Sequence, residues 1–132
     1  MDVDPEAYRR FFLAFDTDVP QIAAVLAAAK RDRYWGIRIG ASLAGVFMLR
    51  GLDEGYPTPA FGVYIAGAAA GRGLSQLALQ FAIAWCRIAG HGELMLTVHQ
   101  DHAAAIHVYE KYGFVFSGQL SSRGHRIYRK PL

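Results

Sequence analysis

The chain has a single cysteine, Cys86, and so cannot close an internal disulfide, which agrees with a reducing compartment. It has no unbroken apolar stretch of about 18 residues, the length a membrane-crossing helix needs. Its first ten residues, MDVDPEAYRR, carry acids where a secretory leader starts cationic. A cytoplasmic protein with no membrane partner is expected. Low-complexity tracts, repeats of 20–50 residues and Pro/Gly/Ser-rich linkers are also missing, which argues against a solenoid and against division into domains. Charge is scarce as well, at 19% of 132 residues. Hydrophobic residues make up 53%, enough to offset the entropy of folding, and a single domain over 1–132 is expected.

The charge that is present leans basic. Fourteen Lys and Arg against eleven Asp and Glu leave +3, a balance that suits an anionic ligand but is mild for a nucleic-acid binder. The basic group Arg123, His125, Arg126, Arg129 and Lys130 reads as a closing strand holding its charges in solvent, so no nucleic-acid partner is assigned. His99, His102 and His107 do not repeat at i,i+4 and have no cysteine pair beside them, so no metal site is assigned. Cys86 lies within an apolar helical pattern and reads as a buried structural thiol.

Along the chain, residues 9–15 are expected to form an edge strand. Asp16, Thr17 and Asp18 offer N-cap oxygens to a helix over 19–30 with Ile22, Val25 and Leu26 on its apolar face. Strands over 34–39 and 43–49 flank Gly40-Ala41-Ser42 as a hairpin, and a polar loop over 51–59 precedes a buried strand over 60–65. Residues 67–73, glycine and alanine apart from Arg72, run straight into a helix over 73–89. At 100° per residue Leu77, Ala78, Phe81, Trp85 and Ile88 should lie on the sheet, with Arg72, Gln76, Gln80 and Arg87 on the other side. Gly90 ends that helix, and a strand over 93–98 completes a βαβ unit. Asp101 is expected to cap a helix over 102–112 stopped by Gly113, and strands over 114–117 and 126–129 close the fold. The class is α/β (α+β), in the order β-α-β-β-β-α-β-α-β-β.

A strand feeding a glycine-rich turn at a helix N-terminus presents unpaired backbone N–H groups and a positive dipole end, the ingredients of a phosphate site. Walker A chemistry is excluded because Gly71 is followed by Arg72-Gly73 rather than Lys-Ser/Thr, and the dinucleotide fingerprint because Gln76 stands where its last glycine belongs. The stretch from 63 to 114 nevertheless resembles the GNAT superfamily of N-acetyltransferases in three spaced places. These are the strand FGVYI with the loop AGRGLS, the strand LMLTV, and HQDHAAAIHVYEKYGF, which is similar to the family's Asn, two residues, Ala-Ile, two residues, Tyr and then Gly-Phe.

The resemblance implies a mixed, mostly antiparallel sheet of about six to seven strands flanked by helices, with strands four and five splayed and acetyl-CoA lying in the opening. It implies that the backbone of Val63, Tyr64 and Ile65 pairs with the pantetheine amides, and that N–H groups of Gly71, Arg72, Gly73, Leu74 and Ser75 hold the pyrophosphate. Tyr109 takes the place of the family's general acid, protonating the departing thiolate; from spacing alone it would be a core aromatic. Glu54 is the first candidate for the base, Asp53 the second, and a backbone N–H near Tyr64 would meet the oxyanion. The sequence departs from the family at Ala70, where Gln or Arg is common, at Ser75, and at His102, which replaces the Asn and is placed with the cofactor site. The activity implied is direct acetyl transfer in a ternary complex to a primary amine of a small molecule, such as an amino sugar. A protein amine is the alternative acceptor, and a non-catalytic acyl-CoA-binding module the alternative function. A small sheet protein with 17 aromatics also allows a homodimer that hides a strand edge.

Overall fold

The structure, a computed structural model, describes residues 30–132. The expected strand over 9–15 and, except for Lys30, the expected helix over 19–30 lie outside the described residues.

Aromatic and β-branched residues on either side of Gly40 form β1 (Arg33–Ile39) and β2 (Ser42–Arg50), paired antiparallel from Arg33↔Leu49 to Ile39↔Ser42. Strand β3 (Ala60–Ile65) pairs antiparallel with β2. Helix α1 (Leu74–Ile88), β4 (Glu93–Val98), α2 (Ala103–Lys111), β5 (Val115–Leu120) and β6 (Arg126–Pro131) follow. The six described strands form one sheet in the order β1-β2-β3-β4-β6-β5, flanked by the two helices. Every strand predicted within the described residues is present, most of them a residue or more longer than expected.

One join in the sheet differs from the rest. β3 and β4 are parallel and share a single register pair, Ala60↔Met95, with the Met95 N–H donating to Pro59 O at 3.1 Å. Beyond that pair the strands part, so the sheet carries a wedge-shaped split that opens toward Ile65 and Val98. The expected order numbers these two strands four and five because it begins with a strand over 9–15, which lies outside the described residues.

The core lies between the sheet and α1. Ala78, Leu79, Ala82, Ile83 and Cys86 pack on Phe47, Leu49, Phe61, Leu94, Leu96, Val98, Phe114 and Tyr128. This corrects the expected helix face: Leu77, Phe81 and Ile88 are 60%, 47% and 87% exposed. The helix is turned by about 120° from the predicted orientation, taking 100° per residue. Its apolar residues cover more than half the circumference, and the small Ala78 and Ala82 let it approach the strands closely. The larger rings stay on the flank, where Phe81 and Trp85 meet Trp35 edge-on at 5.3 and 5.6 Å while Trp35 stacks on Phe47 at 5.0 Å.

Cys86 is fully buried, as expected, and desolvation pushes its thiol up to about 11. It is therefore a neutral thiol at neutral pH. Iodoacetamide at pH 8 should leave the native protein unmodified by mass spectrometry and add one adduct to the urea-unfolded chain; a native adduct would show that α1 leaves the sheet readily.

Candidate active site

The site is built around the split. Backbone N–H and C=O groups alternate sides along a strand. Ala66 donates to Ala44 O on the β2 side at 2.8 Å, whereas Pro59 O receives Met95 N–H on the β4 side. Residues in step with Ala66, including Tyr64, thus turn their backbone groups toward β2. Val63 and Ile65, in step with Pro59, turn theirs into the split. This refines the expected oxyanion position, since the N–H donors facing the opening belong to Val63 and Ile65.

After β3 a short 3-10 turn (Gly67–Ala69) leads into Gly71 at φ 79 and Gly73 at φ 77, a left-handed conformation that side chains resist. Gly73 is the N-cap of α1, with no side-chain cap and no acid in the first turn. The first helical bond is Leu77 N–H to Gly73 O at 3.1 Å, so the N–H groups of Leu74, Ser75 and Gln76 have no helical acceptor. Nothing stands within 4 Å of a Cβ built on Gly71 or Gly73, so the loop is open beside these two glycines, at the positive end of a 15-residue helix. Arg72 is exposed in the middle of this loop, as is Ala70.

Helix α2 forms the other wall. The expected Asp101 cap is corrected: the N-cap is His102, with no side-chain cap. Asp101 instead donates its N–H to His99 Nδ1 at 3.1 Å, because the turn closed by His102 N–H to His99 O at 2.9 Å lays the His99 ring against it. From α2, Tyr109 packs edge-on against Phe114 at 6.0 Å, and desolvation pushes its phenol above the ordinary value. Tyr112, at the helix end, ties α2 to α1 by accepting from Gln80 Nε2 at 2.6 Å and donating to Gln76 Oε1 at 3.2 Å.

Between these elements lies a cleft of about 370 Å³ lined by Val63, Ile65, Ser75, Leu79, His102, Ala104, Ala105, Val108 and Tyr109. Five of the residues predicted from the sequence therefore meet in one cavity, and Gly71, Arg72 and Gly73 of the loop and Leu74, the first residue of α1, lead into it at Ser75. Leu79, Ala104, Ala105 and Val108 were missed. The signal for the last three was the i, i+1, i+4 spacing that leads to Tyr109 on α2, which read as core.

Glu54 lies elsewhere. It is exposed in a turn closed by its N–H to Gly51 O at 3.2 Å, in the loop that leads to the paired end of β3 and β4. Asp53 is engaged in structure: its carboxylate accepts N–H groups of Lys30, Arg31 and Asp32 at 2.9, 2.7 and 3.3 Å, which hold it below the usual carboxylate range. In the basic C-terminal group, Arg129 pairs with Glu93 at 2.7 Å and Arg126 lies over the Phe116 ring at 5.0 Å. Among the described residues no three His, Cys, Asp or Glu side chains gather to hold a metal ion, and no helix is long and apolar enough to cross a membrane.

A split parallel pair, a glycine turn at an uncapped helix and a tyrosine helix across the gap define an acyltransferase-type fold, and comparison with known proteins agrees. Residues 4–114 match the Acetyltransferase (GNAT) family, and the chain belongs to that family. Among solved structures, a GCN5-related N-acetyltransferase from Kribbella flavida superposes with a TM-score of 0.74 at 17% identity, covering 96% of this chain and 89% of that one. The ribosomal-protein-S18-alanine N-acetyltransferase from Escherichia coli gives 0.68 at 18%, covering 84% and 76%. The PaiA N-acetyltransferase from Thermoplasma acidophilum, in complex with coenzyme A, gives 0.70 at 16%, covering 96% and 77%. No curated protein matches by sequence.

Proposed function

We propose that the chain is an acetyl-CoA-dependent N-acetyltransferase that passes the acetyl group directly to a primary amine of a small molecule. The observation that carries the reading is the cleft shared by Val63, Ile65, Ser75, His102 and Tyr109 at the mouth of the split sheet. It offers a strand edge for the pantetheine amides at one wall and open helix N–H groups for the pyrophosphate at the rim. Arg72 adds a cation to the same rim. The backbone N–H groups of Val63 and Ile65 meet the oxyanion, and Tyr109 protonates the departing thiolate. No covalent acyl-enzyme is invoked, because the one thiol, Cys86, is buried against the sheet.

The test is the thermal shift of the purified protein with acetyl-CoA, with CoA and with neither. A ligand that binds only the folded state raises stability by RT ln(1 + [L]/Kd), about 2.7 kcal/mol at a hundredfold excess over Kd. A saturable shift, followed by thiol release in a screen of amines, is the expected result. A shift without thiol release would favour a non-catalytic acyl-CoA-binding domain, and no shift at millimolar acetyl-CoA would remove the cofactor assignment.

A further inference from the structure

Direct transfer leaves one chemical requirement that the cleft does not meet. A primary alkylamine is protonated near pH 7 and must lose a proton before its lone pair can attack a thioester. Tyr109 cannot take that proton, since its role is to give one away and burial strengthens its hold on it.

The two faces of the sheet divide the tasks. Leu94, Leu96 and Val98 of β4 and Tyr128 of β6 belong to the core under α1, so their neighbours along each strand face the other way. Residues on that second face are Met95 and Thr97 of β4, with Arg129 and Ile127 of β6 opposite them; His99 follows β4 directly and His125 directly precedes β6. β3 and β4 share no register beyond Ala60↔Met95, and His99 follows the last residue of β4 at the end toward which the split opens. The cleft and its phosphate rim lie on the helix side. With the acyl donor in that cleft, as the proposed function has it, the second face at the open end of the split, just past β4 at His99, is the side left for an acceptor.

At that end the rings of His99 and His125 meet edge to face, with centroids 5.4 Å apart. His99 has its Nδ1 occupied by the Asp101 N–H, so in the neutral ring the proton sits on Nε2 and no lone pair is free. His125 is different. Its backbone is fixed at both ends, N–H to Ser121 Oγ at 3.2 Å and O from Ser121 N–H at 2.7 Å, while among the described residues its ring shows no hydrogen bond and one ring contact, with His99. The charged groups nearby among the described residues are the Asp101 carboxylate, 3.7 Å from His99 Nδ1, the exposed His102 and Arg123, and Arg126, which points to the helix face over Phe116. We propose that His125, held in place by His99, is the base that takes the amine's proton, directly or through one water.

The balance is complete without any further reactant. The ammonium gives one proton to His125, which passes it to solvent; the amine nitrogen bonds to the carbonyl carbon and the C–S bond breaks. Tyr109 gives its proton to the thiolate and recovers one from the nitrogen of the intermediate, leaving an amide, a thiol and one released proton.

The inference rests on the acetyltransferase reading, and its test keeps the two apart. His125→Gln and Glu54→Gln are assayed by thiol release over pH 5–9 with spermidine, glucosamine and alaninamide as amine probes, and each variant's acetyl-CoA thermal shift is measured separately. A reaction that needs an unprotonated base loses kcat/KM on the acid side of its pH profile, and the wild type should show that limb. In His125→Gln that acid limb should vanish and kcat/KM at pH 7 should fall about 10²-fold, with the acetyl-CoA shift unchanged. Methoxyamine, which is already neutral at pH 7, should be acetylated by the variant at nearly the wild-type rate. His99→Gln should lower kcat/KM less and keep the acid limb, as befits a positioning residue. An unchanged limb in His125→Gln, or its loss in Glu54→Gln instead, overturns the proposal. Turnover of none of the probes by the wild type also overturns it, while the thermal shift alone decides whether the cofactor site stands.

Discussion

Replacing Tyr109 with Phe should lower kcat by about 10²-fold or more and leave acetyl-CoA binding within a few-fold of wild type. The prediction follows from what the hydroxyl does and what the ring does. The ring packs edge-on against Phe114, and the backbone carbonyl accepts N–H groups of Tyr112 at 3.1 Å and Phe114 at 3.0 Å, closing the end of α2. None of this needs the oxygen, so the variant should fold and line the cleft as before. What it loses is the hydroxyl that, in the proposed mechanism, donates to the developing thiolate.

The direction of the pKa shift fixes the pH dependence of that role. Burial raises the phenol above its ordinary value of about 10, so the proton is in place throughout the physiological range. Activity should fall on the alkaline side only above about pH 10, and that limb should be missing from the residual rate of Tyr109→Phe. A variant with unchanged kcat would reduce Tyr109 to the core aromatic that its spacing alone describes.

The contrast between α1 and the loop before it explains what the sequence could reveal. Strand and helix positions followed from residue type, turns and period, because Gly40, Gly90 and Gly113 take positive φ values that few other residues tolerate. The rotation of α1 did not follow, because apolar residues surround most of that helix and the choice between its faces depends on how closely Ala78 and Ala82 let it approach strands distant in sequence. The glycine loop ahead of α1 was legible since local backbone requirements, two glycines ahead of an uncapped helix, are written in adjacent residues. Tyr109 became a functional candidate only through the spaced resemblance, and the structure adds that it shares a cavity with Val63, Ile65, Ser75 and His102. The pairing of His99 with His125 is a consequence of β6 lying between β4 and β5, a topological fact that no spacing along the chain expresses.

The second large effect is expected at Gly73. Substitution by Glu forces a side chain into φ 77, at a cost of about 1–3 kcal/mol, and sets a carboxylate beside the N–H groups of Leu74 and Ser75. Loss of two charge-assisted hydrogen bonds, about 1.5–3 kcal/mol each, should weaken acetyl-CoA binding by roughly 10²-fold or more and abolish the thermal shift. Strain alone would lower the melting temperature too, so the informative comparison is Gly40→Glu. Gly40 has φ 60 and likewise nothing within 4 Å of a built Cβ, but it sits in the β1–β2 turn and does not line the cleft. Both variants should melt earlier by similar amounts, and only Gly40→Glu should still be stabilised by acetyl-CoA. If Gly73→Glu keeps the shift, the glycines serve the turn alone and the phosphates bind elsewhere; if both lose it, the effect belongs to the fold and not to the loop.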